Sequence, residues 1–328
     1  MAEKRERLLD IRGLTVAFDT DEGGLRAVQD VTFSLRRGEV LGLVGESGCG
    51  KSVTAMSIPR LVPSPPGHVV SGEVRFDGQD LLSLPVERMR DIRGRDIGVI
   101  FQEPMTALSP LHRVGRQLVE AIRLHEDCSK RDAWERGVTW LGKVGIPDPA
   151  ERMFAYPFQL SGGMRQRVMI AMALILEPKL VIADEPTTAL DVTIQAQILE
   201  LMLDMCRGDT SLLLITHDMG VIWETCERVL VMYASRIVEE GSKNELFDNP
   251  LHPYTQGLLK SMPVLAGEGE RLPCIKGQVP SPDALPKGCN FAGRCPHAQA
   301  VCREKEPPLA AFGERRSACF FSDRWVRS

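Results

Sequence analysis

The sequence predicts an α/β fold: a mostly parallel sheet covered by helices on both faces, followed by a C-terminal extension of different character. Three observations lead there. Short apolar runs alternate with helical patterns through the middle of the chain. One such run, Val40 to Val44, leads directly into a glycine-rich loop, Gly45 to Ser52. After Leu246, prolines crowd a region that also holds five of the nine cysteines. A chain of 328 residues is long enough for two domains with a large buried core in the first, and the change of composition sets them at residues 1–248 and 249–328.

In chain order, Leu14–Phe18 and Val31–Leu35 read as strands around a Gly23-Gly24 turn, suggesting a small antiparallel sheet. Val40–Val44 suits a buried strand, and the loop after it opens a helix. From Glu103, prolines at 104, 110 and 147 punctuate helical patterns such as Val114–Leu124 and Ala133–Val144, so residues 103 to about 178 read as a helical insertion. Val168–Leu176 is the longest apolar run, about half of the ~20 residues that cross a bilayer, and reads as a buried helix. Leu180–Ala183, Leu212–Thr216 and Val229–Tyr233 suit buried parallel strands, with Ile194, Ile198, Leu201, Met202 and Met205 at helical spacing between the first two.

The net charge of -4 is small and the basic residues are interleaved with acidic ones, which argues against nucleic acid as a partner. The charged N-terminus lacks the apolar stretch of a secretory signal, so a cytosolic location is expected. Any membrane-spanning path must then belong to other chains.

Gly45, Glu46, Ser47, Gly48, Cys49, Gly50, Lys51 and Ser52 fit the pattern G-x-x-x-x-G-K-[ST], with Val53 continuing into the helix. Glycines at 45, 48 and 50 allow tight turns, so that successive N–H groups can surround phosphate oxygens. Lys51 supplies a positive charge for the β- and γ-phosphates, and Ser52 a hydroxyl for Mg²⁺, which prefers oxygen ligands. Asp184, ending its strand, is suited to hold that hydrated metal. Glu185 is then the candidate to polarise the attacking water, and His217, following its own strand, to contact the γ-phosphate. Cys49 reads as an inert small residue tolerated where the backbone does the work; the alternative is a thiolate favoured by Lys51 and a helix start and prone to oxidation.

Leu160-Ser161-Gly162-Gly163-Met164-Arg165-Gln166-Arg167 lies between that loop and the Asp184-Glu185 pair. With Gln102 and His217, this order of motifs resembles the ATP-binding subunits of ABC transporters over most of the chain. The resemblance implies an ABC-type P-loop NTPase: a RecA-like parallel-sheet core with an antiparallel β subdomain and a helical subdomain. It also implies that Phe18 stacks on adenine and that Gln102 joins Ser52 and Asp184 around Mg²⁺. Ser161, Gly162, Gly163 and Met164 would face the γ-phosphate held by the opposite subunit, so that ATP is sandwiched between two chains. Asp191 matches the family loop that crosses between the two sites. Met164 stands where many family signatures carry Gln, although the dipeptide and oligopeptide branch commonly has this form.

Pro250 to Thr255, Cys289, Cys295, Cys302 and Cys319 resemble the C-terminal extension of that same branch. In a reducing cytosol, thiols at C-x5-C-x6-C-x16-C spacing suit metal ligation better than disulfides, and either zinc or an iron–sulfur cluster fits four of them, the alternative being a scatter of reduced, unliganded thiols. The spacing lacks paired C-x-x-C knuckles, and with the resemblance added a [4Fe-4S] cluster is favoured. Cys128, Cys206, Cys226 and Cys274 read as ordinary thiols.

The expected function is therefore an ATPase that energises import of dipeptides or oligopeptides from the cytoplasmic side of the membrane. It would work opposite a homologous ATPase, beneath two transmembrane permease subunits, with an extracytoplasmic protein delivering substrate. The same motor could serve nickel, an antimicrobial peptide or a glycopeptide fragment. A soluble ATPase of DNA repair or translation would need long coiled coils, a second cassette or a basic groove, and the sequence has none.

Overall fold

A computed structural model describes residues 5–21, 23–187, 192–206, 208–262 and 273–326. They form two compact units, one chiefly Leu84–Leu213 with Arg36–Glu39, the other Glu6–Leu35, Val40–Ser83 and Leu214–Ser328.

The chain begins in the second of these. Strands β1 (Arg7–Thr20) and β2 (Gly23–Arg36) are followed by β3 (Val40–Val44), helix α1 (Lys51–Ser57), β4 (Gly67–Phe76) and β5 (Gln79–Asp80). Four of these strands make one sheet in the order β2-β1-β4-β5, with β1 and β4 antiparallel. Val31, Phe33 and Leu35 are buried at every second position of β2, the period of a half-buried strand. The strands run well beyond the expected Leu14–Phe18 and Val31–Leu35. Only Val74 and Phe76 of β4 are buried apolar residues, and Val69 and Val70 are exposed, so the strand has no long apolar face to read in the sequence.

The first unit holds α2 (Val86–Ile92), β6 (Ile97–Ile100), α3 (Pro104–Ala107), α4 (Val114–Arg123), α5 (Lys130–Lys143), α6 (Pro149–Arg152), α7 (Gly162–Leu174), β7 (Leu180–Asp184) and α8 (Val192–Met205). β6 and β7 are parallel, with Ile100 opposite Ala183. Every residue of β7 is buried, as expected of a continuous apolar run inside a parallel sheet. Val168, Ile170, Ala171 and Leu174 bury α7. This helix stops because Glu177 takes a left-handed φ of 53° and Pro178 follows, which cannot continue a helix.

β8 (Ser211–Thr216) carries the chain back into the second unit, to α9 (Met219–Thr225), β9 (Arg228–Tyr233), β10 (Arg236–Ser242), α10 (Lys243–Asp248), α11 (Pro253–Lys260), α12 (Ala300–Glu304), β11 (Ala310–Phe312) and β12 (Arg315–Ser317). β3 lies parallel to β9, with Val44 opposite Val231, while β10 runs antiparallel to β9 and is followed outward by β12 and β11. Local chemistry starts the helices here. Ser242 and Glu245 form a reciprocal cap on α10, and Pro253 opens α11, where the His252 ring nitrogen accepts the Tyr254 N–H at 3.0 Å.

Candidate functional site

The phosphate loop leaves β3 and enters α1. A Cβ on Gly45 would sit 2.1 Å from the Met232 carbonyl oxygen, and one on Gly50, whose φ is +103°, would sit 2.4 Å from the Ala27 carbonyl oxygen. Neither position admits a side chain, because the obstacles are backbone atoms. The buried Lys51 amine donates to the carbonyls of Gly45 at 2.9 Å and Glu46 at 3.1 Å, so the loop curls around its own cation. Ser47 and Gly48 are exposed and Ser52 half-buried. Cys49 is fully buried, and burial pushes its thiol up despite the opposing influence of Lys51. This agrees with the reading of Cys49 as an inert small residue and not with an activated thiolate: desolvation outweighs the neighbouring charge.

In the same unit, Phe18 is half-buried at the end of β1, paired with Gly67, and its ring edge would lie 2.9 Å from a Cβ at that glycine. His217 follows β8 and is exposed. Sequence reasoning missed two residues near the loop. Tyr254 accepts the Glu46 N–H at 2.9 Å, and Arg294 pairs with the Glu46 carboxylate at 3.0 Å.

In the other unit, Asp184 is buried at the end of β7 and Glu185 follows with φ +45°, a left-handed conformation that costs a non-glycine residue energy. The Gln102 amide, leaving the end of β6, donates to the Glu185 carboxylate at 3.4 Å. Parallel neighbouring strands release both segments at the same end, where open α/β sheets place their ligand-binding loops. Buried Gln166 of α7, also missed from sequence, donates to the Pro186 carbonyl and so ties this helix to the turn after Glu185.

Ser161 caps α7, its hydroxyl accepting the Met164 N–H at 3.3 Å. A Cβ on Gly162 would meet nothing within 4 Å, and one on Gly163 only an ordinary contact with Ile194 at 3.6 Å. Neither glycine has a positive φ. Among the described residues, then, neither packing nor backbone conformation calls for glycine at these two positions. Asp191 lies outside the described residues.

Cys289, Cys295, Cys302 and Cys319 all line one cavity, with Phe291, Phe321 and Trp325 among its walls. Burial pushes the thiols of Cys289, Cys295 and Cys319 up, that of Cys289 to about 11. Against that, the Phe321 N–H donates to the Cys319 sulfur at 3.4 Å, and the backbone amides of Phe291 and His297 favour the thiolates of Cys289 and Cys295. A Cβ on Gly288 would lie 2.3 Å from the Cys302 carbonyl oxygen, where the chain crosses itself to bring Cys289 and Cys302 together. Among the described residues no group of three or more His, Cys, Asp or Glu side chains is arranged to hold a metal ion.

Residues 28–188 match the ABC transporter family and residues 238–302 the C-terminal region of oligopeptide/dipeptide transporters. A probable peptide ABC transporter ATP-binding protein of Sinorhizobium fredii is 52% identical over 98% of this chain and 97% of its own length. The oligopeptide transport ATP-binding protein OppD of Bacillus subtilis is 52% identical over 92% of this chain and 85% of its own, and OppD of Escherichia coli 48% identical over 97% and 94%. Among solved structures, the dimeric ATP-binding cassette MJ0796 in a post-hydrolysis state with ADP and Pi superposes with a TM-score of 0.65 at 26% identity, covering 72% of this chain and 98% of that one. Among the described residues no helix is long and apolar enough to cross a membrane.

Proposed function

The chain belongs to the ABC transporter family, and from that premise we infer how its residues hydrolyse ATP to energise the import of oligopeptides or dipeptides. It is the ATP-binding subunit of such an importer. The observation that carries the catalytic reading is the contact of Gln102 with Glu185 at the shared end of β6 and β7.

In this reading Lys51 and the backbone of Gly45 to Ser52, with Val53 behind them, bind the phosphates, and Phe18 stacks on adenine. Glu185 orients the attacking water and takes its proton, Gln102 holds Glu185 in place, and His217 contacts the γ-phosphate. Ser52, Asp184 and Gln102 are the ligands offered to Mg²⁺, whose chemical contribution is to offset charge on the phosphate oxygens. The support is the order of motifs along the chain, together with the burial of Asp184 and the loop conformation around Lys51.

Ser161, Gly162, Gly163 and Met164 serve the nucleotide held by a second ATPase subunit. What supports this is a pair of glycines that no described residue of their own chain calls for: room left at a helix start suits the close approach of another molecule's phosphate. Closure of two such subunits on ATP and their release after hydrolysis would drive two membrane permeases, supplied by an extracytoplasmic binding protein, from the cytoplasmic side of the membrane. Cys289, Cys295, Cys302 and Cys319 would hold a [4Fe-4S] cluster, with zinc as the alternative. Such a group would supply order to a segment with little core of its own, and the support is their shared cavity and the amide-to-sulfur contact at Cys319.

The test is uptake by the complex reconstituted with its permeases and binding protein. Labelled oligopeptide should accumulate with ATP and not with the Glu185→Gln subunit. Nickel uptake without peptide uptake would overturn the cargo.

A further inference from the structure

We propose that Arg294 and Tyr254 are positioning residues for the phosphate loop, clamping Glu46 from the C-terminal segment so that the loop is held ready for nucleotide.

Two contacts of different kinds converge on Glu46. Its backbone N–H donates to the Tyr254 hydroxyl at 2.9 Å. Its carboxylate accepts from one Arg294 nitrogen, at 3.1 Å on one oxygen and 3.0 Å on the other. The Arg294 side chain is only 8% exposed and is itself fixed, donating to the carbonyls of Lys276 at 3.1 Å and Ile275 at 3.3 Å. Tyr233, Tyr254 and Phe291 pack against one another behind it, with ring centroids 4.6 to 5.5 Å apart. Arg294 directly precedes Cys295, so the four-cysteine segment reaches the phosphate loop through one residue.

Physical reasons make this contact matter for binding. A loop with glycines at 45, 48 and 50 loses much conformational freedom when it closes on phosphates, and holding Glu46 beforehand reduces that loss. Glu46 also puts a negative charge in a loop that receives anions. Arg294 compensates that charge, so its removal should hurt binding more than the loss of one hydrogen bond would.

The inference rests on the phosphate-loop reading above, and the experiment separates the two. A fluorescent ATP analogue with Mg²⁺ is titrated into the full chain, alongside melting temperature and amide exchange of residues 45–50 without nucleotide. Arg294→Ala should raise Kd about tenfold, the scale of a lost charge-assisted hydrogen bond, and speed that exchange. Arg294→Lys and Tyr254→Phe should show smaller rises. Glu46→Gln placed in the Arg294→Ala background should recover part of the affinity, which a merely structural role for Arg294 would not produce. Unchanged Kd and exchange in the Arg294 variants, or a rise in Kd that Glu46→Gln leaves unrelieved, overturns the clamp. Wild-type binding by Lys51→Ala would instead overturn the phosphate-loop reading itself. If Arg294→Ala does not fold, Arg294→Lys and Tyr254→Phe carry the same comparison, and wild-type Kd in both overturns the clamp.

Discussion

The Gln102 side chain donates to the Glu185 carboxylate at 3.4 Å across 83 residues of sequence. The contact exists because β6 and β7 are parallel neighbours and release the two residues at one end. Glu185→Gln should retain ATP binding and lower turnover of the assembled complex by about 100-fold or more, the scale of general-base catalysis. Gln102→Ala should lower turnover less, with little change in nucleotide Kd. Near-normal hydrolysis by the assembled Glu185→Gln complex would reject the role.

Gly162→Val tests the claim that this glycine serves another molecule. Open space around its position predicts a stability change within about 0.5 kcal/mol in the isolated chain. Hydrolysis by the assembled pair should nonetheless fall, as it should for Ser161→Arg. A melting curve shifted well beyond that range, with hydrolysis unaffected, would make the glycine a folding residue.

Glu239 predicts a pH dependence of stability. Burial pushes its carboxyl up from 4.5 to about 7, against the opposing backbone N–H groups of Leu251 and His252, which donate to it at 2.6 and 2.9 Å. A folded pKa above the unfolded one means the native state holds the proton more tightly. The contribution is therefore complete below about 4.5 and is lost as pH rises through about 7. His252, pushed down to about 3 by burial, acts oppositely and costs stability as pH falls below 6.5. The difference between wild type and Glu239→Gln isolates the carboxyl. From pH 8 down to pH 5, wild type should gain up to roughly 3 kcal/mol relative to the variant in urea unfolding. A difference independent of pH would refute the assignment.

Cysteine chemistry gives a separate check. Anaerobically purified protein should be brown and contain iron and acid-labile sulfide in equal amounts, with both lost in Cys295→Ser. Zinc without sulfide would leave the four-ligand site standing and remove the cluster. In the folded chain, exposed Cys274 should be alkylated well before buried Cys49, whose thiol burial has pushed up. Equal rates would contradict that burial.

Much of the fold was legible because its signals are local. The apolar runs of β3, β7, β8 and β9 announce buried strands, and glycines at 45 and 50 announce a loop whose backbone packs against other backbone. β4 was not legible: its buried residues are few, and Val69 and Val70, though apolar, are exposed. Signature residues such as Ser161 were recognisable from their motif, but the role of Gln166 in the same stretch was not, because it comes from one carbonyl at Pro186.

The sequence by itself determined the order of the motifs, the strands that carry them and the family, since each rests on residue types at short, regular spacing. Tertiary structure decided the rest. It buried Cys49 and so reversed the chemistry that Lys51 alone would favour. It also set four cysteines around one cavity and brought Arg294 to Glu46 across 248 residues. Such pairings depend on which strands lie side by side and in what register. Those are set by the burial of whole apolar faces, an energy shared among many residues and written in no short stretch of the chain.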